Sequence, residues 1–411
     1  MMKKLQISFL ELCFLFVLFC FAISIFNLAG YIFAVIVVLL FFFKATSISI
    51  SHTDFIVFLF SIGYTVFLFL HYGLTVNDII LFLIGPLSAY ILGKAYIKTS
   101  KSDYSLMIFI TVLSIGMYFH GLLNVVAYLR SDYSAYYEYY RQSVDFWRDE
   151  LVNVKTTEML YTFATGLGMG VLFSKSKLLY KMISTIIVII SVGVAAFLAN
   201  RTLILVFIAL AVWRTLVLLL NHKIRFETKL AVVFGILFLG VVAVYIVVNN
   251  KYGVRDFIFS LKIVERFTSN SELTRFEVWG LFFDEMRFLD YPFGGKFLTI
   301  GSEFGYLHNM WLDVYNVAGI IPFLFLIVLS GKFILEYFDF SRVMKKYEKD
   351  DENIILQTLM LSTLMNMMVE PIVEANPYYF LIVLMFMGAM NEYKKKVKET
   401  GELVCEDSHS M

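Results

Sequence analysis

The stretch "MISTIIVIISVGVAAFLANRTLILVFIALAVWRTLVLLL", residues 182–220, holds two apolar runs that are separated by one short turn. A helix that crosses a bilayer needs roughly 17–25 mostly apolar residues. The runs 182–198 and 202–220 both meet that length. The stretch therefore predicts a helical hairpin that spans a membrane. Its turn carries one charged residue, Arg201, among apolar neighbours.

Similar runs recur along the whole chain, which has 411 residues and is 60% hydrophobic and 16% charged. Soluble domains are roughly half apolar and about a quarter charged. We therefore predict an all-α polytopic membrane protein with about twelve transmembrane helices. The candidate spans are 5–26, 28–43, 54–70, 78–93, 104–129, 159–174, 182–198, 202–220, 230–248, 310–330, 353–369 and 377–393.

The distribution of Lys and Arg predicts the orientation of these spans. With the N-terminus in the cytoplasm, most basic residues fall on the cytoplasmic side, and the short outer turns near 27–29, 71–77 and 370–376 contain none. Cytoplasmic loops carry an excess of Lys and Arg, and long translocated loops are exempt from this bias. We expect an integral membrane domain over residues 1–393 and a polar, frayed tail over 394–411, with both termini in the cytoplasm.

Two long loops are predicted on the outer face. The first, at about 130–158, is dense in tyrosine, which favours either an aromatic cap on the membrane surface or a platform that stacks on sugar rings. The second, at about 249–309, predicts an amphipathic helix from about Glu272 to Leu289 and then a turn at Pro292 and the following glycines. This loop is expected to deliver His308 to the start of the next span.

Arg201 can be interpreted in two ways. A charge at membrane depth is costly, so it tends to face a cavity and to mark a functional site. Alternatively, the side chain extends to the outer lipid headgroups. Since the positive-inside bias disfavours an arginine in a short outer turn, we favour the functional interpretation.

A series of motifs follows Arg201 in a fixed order. Arg275 stands a few residues before Trp279, a Pro-x-Gly turn begins at Pro292, and His308-Asn309 leads into a span that carries Gly319. In this order, on one predicted membrane face, the residues resemble the O-antigen polymerase and O-antigen ligase families of bacterial envelope polysaccharide assembly. The motifs cover roughly residues 190–330, and the predicted topology of the whole chain is similar.

The resemblance implies a membrane glycosyltransferase on the outer face of the bacterial cytoplasmic membrane. Its donor would be a glycan on undecaprenyl pyrophosphate. The acceptor would be another lipid-linked repeat unit for a polymerase, or lipid A core for a ligase. The expected partners are such lipid-linked glycans, the lipid bilayer, a chain-length regulator and a flippase, and no nucleic acid.

The expected chemistry has an acceptor hydroxyl attack the anomeric carbon while the lipid pyrophosphate leaves. Arginine suits the leaving group, because its planar fork binds phosphate oxygens and keeps its charge. We assign this role to Arg201 and Arg275. Arg266 is a third candidate for substrate binding, unless it pairs with glutamates on its own helix.

His308 suits activation of the hydroxyl, since a neutral imidazole accepts a proton near neutral pH, and it can equally donate a hydrogen bond to pyrophosphate. Asn309 either orients His308 or caps the following helix. Trp279 and Glu303 complete the predicted substrate-binding set. The rival bases that we considered are Glu303, Glu277 and Asp313.

We expect no metal and no nucleotide cofactor. The outer carboxylates lack the spacing of a metal-binding loop, and no phosphate-cradling glycine loop is visible in the sequence. A lipid-linked oligosaccharide transporter is the alternative from another class. Transporters commonly place ionisable groups within their spans, whereas the polar residues here gather in the predicted outer loops.

Overall fold

The computed structural model describes residues 7–42, 49–135, 142–220, 224–268, 274–283, 288–299 and 306–409. Its helices are α1 Phe9–Ala22, α2 Ala29–Phe42, α3 His52–Tyr72, α4 Val76–Thr99, α5 Ser105–Arg130, α6 Val154–Phe173, α7 Leu178–Phe197, α8 Arg201–Leu220, α9 Phe226–Val248, α10 Val254–Ser260, α11 Lys262–Thr268, α12 Thr274–Phe283, α13 Met310–Ala318, α14 Ile320–Lys346, α15 Asp350–Val369, α16 Ile372–Ala375 and α17 Pro377–His409. Two short strands, β1 Gln142–Asp145 and β2 Glu150–Asn153, pair antiparallel.

The architecture is that of an all-α membrane protein, as the sequence predicts. Within the described residues, seven helices are long and apolar enough to cross a membrane, namely α3, α4, α5, α7, α8, α9 and α14. Helices α1 and α2 are apolar but shorter. Helices α6, α15 and α17 also coincide with predicted spans, and α6 is buried along most of its length.

The predicted span 310–330 is two helices, because the chain breaks at Gly319. This residue has φ +80° and ψ −168°, a combination that is essentially reserved for glycine. The amide of Ile320 donates to the carbonyl of Pro292 at 2.8 Å, so the Pro-x-Gly turn is fastened to the break. The indole of Trp311 donates to Ser330 Oγ at 2.9 Å. Helix α13 therefore runs back along α14, with its first residue deepest in the bundle.

The outer loops differ from the prediction in their local structure. In the first loop, residues 142–153 form a β-hairpin instead of an aromatic segment alone. Its turn is stabilised by Asp145, whose carboxylate accepts from the amides of Trp147 at 2.9 Å and Arg148 at 3.0 Å. The tyrosine-rich stretch 136–141 lies outside the described residues. In the second loop, α12 covers residues 274–283 of the predicted amphipathic helix, and residues 272–273 and 284–287 of that prediction lie outside the described part of the chain.

The predicted tail is helical rather than frayed, since α17 continues without a break to His409. The ammonium of Lys396 donates to the carbonyls of Ser100 at 2.8 Å and Ser102 at 3.0 Å. These bonds fasten the first part of the tail to the end of α4. The sequence pattern does not reveal this contact, because the partners are far apart in the chain.

Helices α4 and α17 pack at backbone contact in the centre of the bundle. A Cβ atom at Gly93 would lie 2.0 Å from the carbonyl oxygen of Met385, and one at Gly388 would lie 2.0 Å from that of Tyr90. Small residues at such a crossing allow membrane helices to approach closely. Helix α17 also contacts a helix that carries the candidate site, since the rings of Tyr379 and Phe163 of α6 pack edge to face.

Candidate functional site at one end of the bundle

Polar side chains from four elements meet at the end of the bundle opposite to its most basic end. Lys155 stands in the first turn of α6, and His308 directly precedes α13. The other end of α6, at Phe173, adjoins the start of α15, where Lys175 donates its amide to Asp351 at 2.7 Å. At 1.5 Å per residue, Lys155 is about 27 Å from that end, close to the thickness of a bilayer's hydrocarbon core. The site therefore lies at the end of the bundle where α6 begins.

The backbone of His308 is held in an unusual conformation. Its φ is +54°, a left-handed value that is uncommon for any residue other than glycine. The carboxylate of Asp313 accepts from the amides on both sides of it, Leu307 at 2.7 Å and Asn309 at 3.0 Å. These two bonds fix the conformation and aim the imidazole away from α13.

Asn309 caps the helix that follows it. Its Oδ1 accepts from the amides of Trp311 and Leu312, both at 3.1 Å, and its Nδ2 donates to the carbonyl of Met368 at 3.0 Å. The capping role, one of the two predicted for Asn309, is confirmed. The second bond also ties the start of α13 to the end of α15.

Lys155 links the imidazole to a buried carboxylate. Its ammonium lies 2.8 Å from His308 Nδ1 and 3.7 Å from Glu370 Oε2. The Glu370 side chain is fully buried, and its Oε1 accepts from Thr202 Oγ1 at 3.3 Å. The ammonium also lies 3.3 Å from His308 Nε2, so it faces both ring nitrogens. Because an ammonium can only donate, the imidazole accepts in this contact and is neutral.

Arg201 begins α8, and its side chain is half-buried. It directly precedes Thr202, which contacts the Glu370 carboxylate. The preceding residue, Asn200, accepts from the amide of Leu203 at 3.1 Å and donates to Glu158 Oε2 at 3.3 Å. The turn that carries Arg201 is thereby fixed to α6 on one side and to the end of α15 on the other.

Trp279 anchors α12 beside His308, since its indole donates to the carbonyl of Leu307 at 2.9 Å. Arg275 stands one turn earlier on the same helix, and residues four apart share a helix face. The side chains of Arg275 and of Arg266, which is in α11, lie outside the described part of the structure. Glu303 lies outside it entirely.

Two of the rival bases occupy different environments. Glu277 is exposed on α12. Asp313 is buried and accepts from the amides of Leu307 and Asn309, so it shapes the loop that holds His308.

A second cation lies on the other side of Tyr306. Lys296 forms an ion pair with Glu374, and its ammonium lies 5.6 Å from the centroid of the Tyr306 ring. That ring is 6.4 Å from the ring of His308. Burial lowers the pKa of Lys296, but the hydrogen bond and charge of Glu374 raise it by more. Burial also raises the pKa of Glu374, against the opposing effect of Lys296.

Sequence reasoning missed Lys155, Glu158, Asn200, Lys296 and Glu374 as site residues, and it gave Glu370 only a minor place. Lys155 falls in a predicted loop, where no periodicity indicates which way a side chain faces. The usable signal was its charge, because it is a basic residue on the predicted outer side, next to an apolar run.

The fold and site together define a helical membrane protein with a cation-bearing polar cluster at one end of the bundle. No protein-family model matches the sequence, and no curated protein matches it.

Proposed function

We propose that the protein is a membrane glycosyltransferase that polymerises oligosaccharide repeat units linked to undecaprenyl pyrophosphate. The observation that carries the proposal is the Lys155 ammonium, which lies between Glu370 and His308 on the same end of the bundle as Arg201. The order of motifs that resembles the O-antigen polymerase and ligase families supports the choice of this reaction.

The cluster suits a pyrophosphate group. Its ammonium and guanidinium are donors without acceptor capacity, and charge-assisted bonds to phosphate oxygens are about twice as strong as neutral ones. Buried carboxylates at Glu370 and Glu158 lie behind the cations and fix the elements that carry them. Preorganised donors of this kind stabilise the charge that develops on a leaving group.

For His308 we propose hydrogen-bond donation rather than proton abstraction. The Lys155 ammonium lies 2.8 Å from Nδ1 and 3.3 Å from Nε2, and a cation so close makes the ring a weaker base. In this proposal His308 donates to a pyrophosphate oxygen, and Lys155, Arg201 and Arg275 supply the positive charge.

The proposal includes a topology of about twelve spans with both termini in the cytoplasm. Seven helices among the described residues are long and apolar enough to cross a membrane, and further helices overlap the other predicted runs. The site would then face the outer side of the bacterial cytoplasmic membrane, where a flippase delivers lipid-linked repeat units and a chain-length regulator acts on the product.

Two alternatives to the polymerase can be distinguished from it by experiment. A ligase would transfer the finished polymer to lipid A core, and a transporter would move lipid-linked oligosaccharide without forming a bond. A strain that lacks a polymerase carries a single repeat unit on its core, whereas a strain that lacks a ligase accumulates lipid-linked polymer on a bare core. Vesicle transport without any polymer formation would favour the transporter.

The test is complementation of a deletion strain with single variants. We expect Lys155→Met, Arg201→Ala, Arg275→Ala and His308→Ala to abolish or shorten the polymer on gels while the protein still reaches the membrane. Arg255→Ala is the matched control, because this arginine is half-exposed on α10 and pairs with the neighbouring Asp256. Full-length ladders from all four site variants would refute the proposal.

A further inference from the structure

A half-open cavity of about 560 Å³ lies beside the cluster. It is bounded by the end of α3, the π-helical turn Ile79–Ile84 within α4, and α16. Volumes of roughly 300–1,000 Å³ with apolar walls and a few placed polar groups are typical of small-molecule sites. The proposed chemistry at His308 does not use this space.

Aromatic rings form much of the cavity wall. Tyr64 and Phe82 are in contact with ring centroids 5.2 Å apart, and Tyr72 stands at the mouth with 49% of its surface exposed. A tyrosine combines a flat apolar face with a polar tip. Such surfaces match a sugar ring, which has apolar C–H faces and a rim of hydroxyl groups.

One buried acceptor in the wall needs a donor. Glu374 Oε2 is buried and has no hydrogen-bond partner among the described residues, while its other oxygen pairs with Lys296. Asp78 uses Oδ2 to accept from the amide and hydroxyl of Thr75, at 2.9 and 2.6 Å. A buried acceptor without a partner is costly, and a hydroxyl group from a ligand would satisfy it. Asn77 adds an exposed amide to the same wall.

The charge of the cavity argues against phosphate as its occupant. Among the described residues that line it, Asp78 and Glu374 are carboxylates and none is Lys or Arg. The nearest cation is Lys296, whose ammonium lies 5.8 Å from the Tyr72 ring and already pairs with Glu374. A neutral polyhydroxyl ligand fits this environment better than an anion.

We propose that this cavity is a saccharide-binding site that takes a short, phosphate-free oligosaccharide. The role of this cavity in the reaction rests on the proposed function. In that proposal the pyrophosphate lies at Lys155, and the sugar rings lie on the other side of Tyr306. The Tyr306 ring links the two regions, because its centroid is 5.6 Å from the Lys296 ammonium and 6.4 Å from the centroid of the His308 ring.

The test measures binding by the full chain, purified in detergent, with two separate probes. One probe is the phosphate-free oligosaccharide released by mild acid from the lipid-linked repeat units of the producing cell, and the other is inorganic pyrophosphate. Calorimetric titration compares the wild type with Tyr72→Ala, Asn77→Ala and Lys155→Met. Tyr245→Ala is the matched control, because Tyr245 is 54% exposed and also has a lysine ammonium 5.5 Å from its ring.

We expect oligosaccharide affinity to fall about tenfold, the equivalent of 1.4 kcal/mol, in Tyr72→Ala and Asn77→Ala. Tyr245→Ala and Lys155→Met should bind the oligosaccharide like the wild type, and pyrophosphate binding should be lost only in Lys155→Met. Absent oligosaccharide binding in the wild type, or equal binding in all variants, would overturn the inference. If the wild type does not bind pyrophosphate but the oligosaccharide affinities follow the expected pattern, the saccharide site is supported and the proposed function is overturned.

Discussion

His308 occupies a left-handed backbone conformation. Such a conformation costs of order 1–3 kcal/mol and persists only where the surrounding structure imposes it. Here the two amide bonds to Asp313 impose it. Strain of this kind concentrates at functional sites, because it orients a side chain that a relaxed backbone would direct elsewhere. In this protein the result is an imidazole that meets Lys155 rather than the helix it precedes.

The donor role of His308 is testable by exchange of its side chain. Gln retains an N–H donor but is not a base at neutral pH, so we expect His308→Gln to keep part of the activity while His308→Ala falls by about 10²–10³. The measurement is the initial rate of polymer formation in membranes, at matched protein levels. Equal inactivity of the two variants would indicate that the ring acts as a base.

At the residue scale, the sequence makes His308, Asn309 and Arg201 candidates from their order and placement, and the structure places all three at the same end of the bundle. Lys155 and Glu370 could not be predicted as a pair, since they come from α6 and from the end of α15 and meet only through packing. Long-range contacts of this kind leave no periodicity in a single sequence.

At the scale of elements, apolar run length predicted the helices well, because a crossing helix must satisfy its backbone internally over the bilayer's thickness. The division of the run 310–330 at Gly319 was missed. The residues on both sides of the break are equally apolar, and glycine inside a membrane helix is common. Only the contact with Pro292 explains why the chain turns there.

We predict that Gly319→Ala destabilises the protein. A Cβ atom there would lie 2.3 Å from the Pro292 carbonyl oxygen, and the backbone conformation excludes side chains. The loss should be at least about 1–2 kcal/mol and should separate the Pro-x-Gly turn from α13. Thermal unfolding in detergent measures it.

Gly331→Ala is the matched control for that experiment. Gly331 lies inside α14, and an added Cβ atom would meet nothing within 4 Å. Since alanine favours helix over glycine by roughly 1 kcal/mol, this variant should be as stable as the wild type or more so. A melting temperature for Gly319→Ala equal to that of Gly331→Ala would show that the break does not require glycine.

At the scale of the whole molecule, we predict that the site faces the outer side of the membrane and that both termini lie in the cytoplasm. The site and the lysine-rich ends of α14 and α17 lie at opposite ends of the bundle, which the positive-inside bias interprets as outer and cytoplasmic. The charge pattern alone supplies this prediction, because helix geometry is the same in either orientation.

Cysteine labelling in intact cells tests the orientation. In a background with Cys13, Cys20 and Cys405 replaced by serine, we expect Ser134→Cys to react with a membrane-impermeant maleimide. Glu348→Cys should react only after permeabilisation. Both positions are exposed, so a difference in labelling reports the side of the membrane. The reverse pattern would place the cluster in the cytoplasm.

The close crossing of α4 and α17 has a consequence for how the protein is made. Helix α4 is synthesised early and α17 is synthesised last. The face of α4 around Gly93 therefore lacks its packing partner until translation is nearly finished. During that interval the nascent bundle is open, and an insertase or chaperone that shelters half-built membrane proteins would have time to act on it. A polypeptide stopped before Pro377 would leave that face permanently bare and become a substrate for membrane proteolysis.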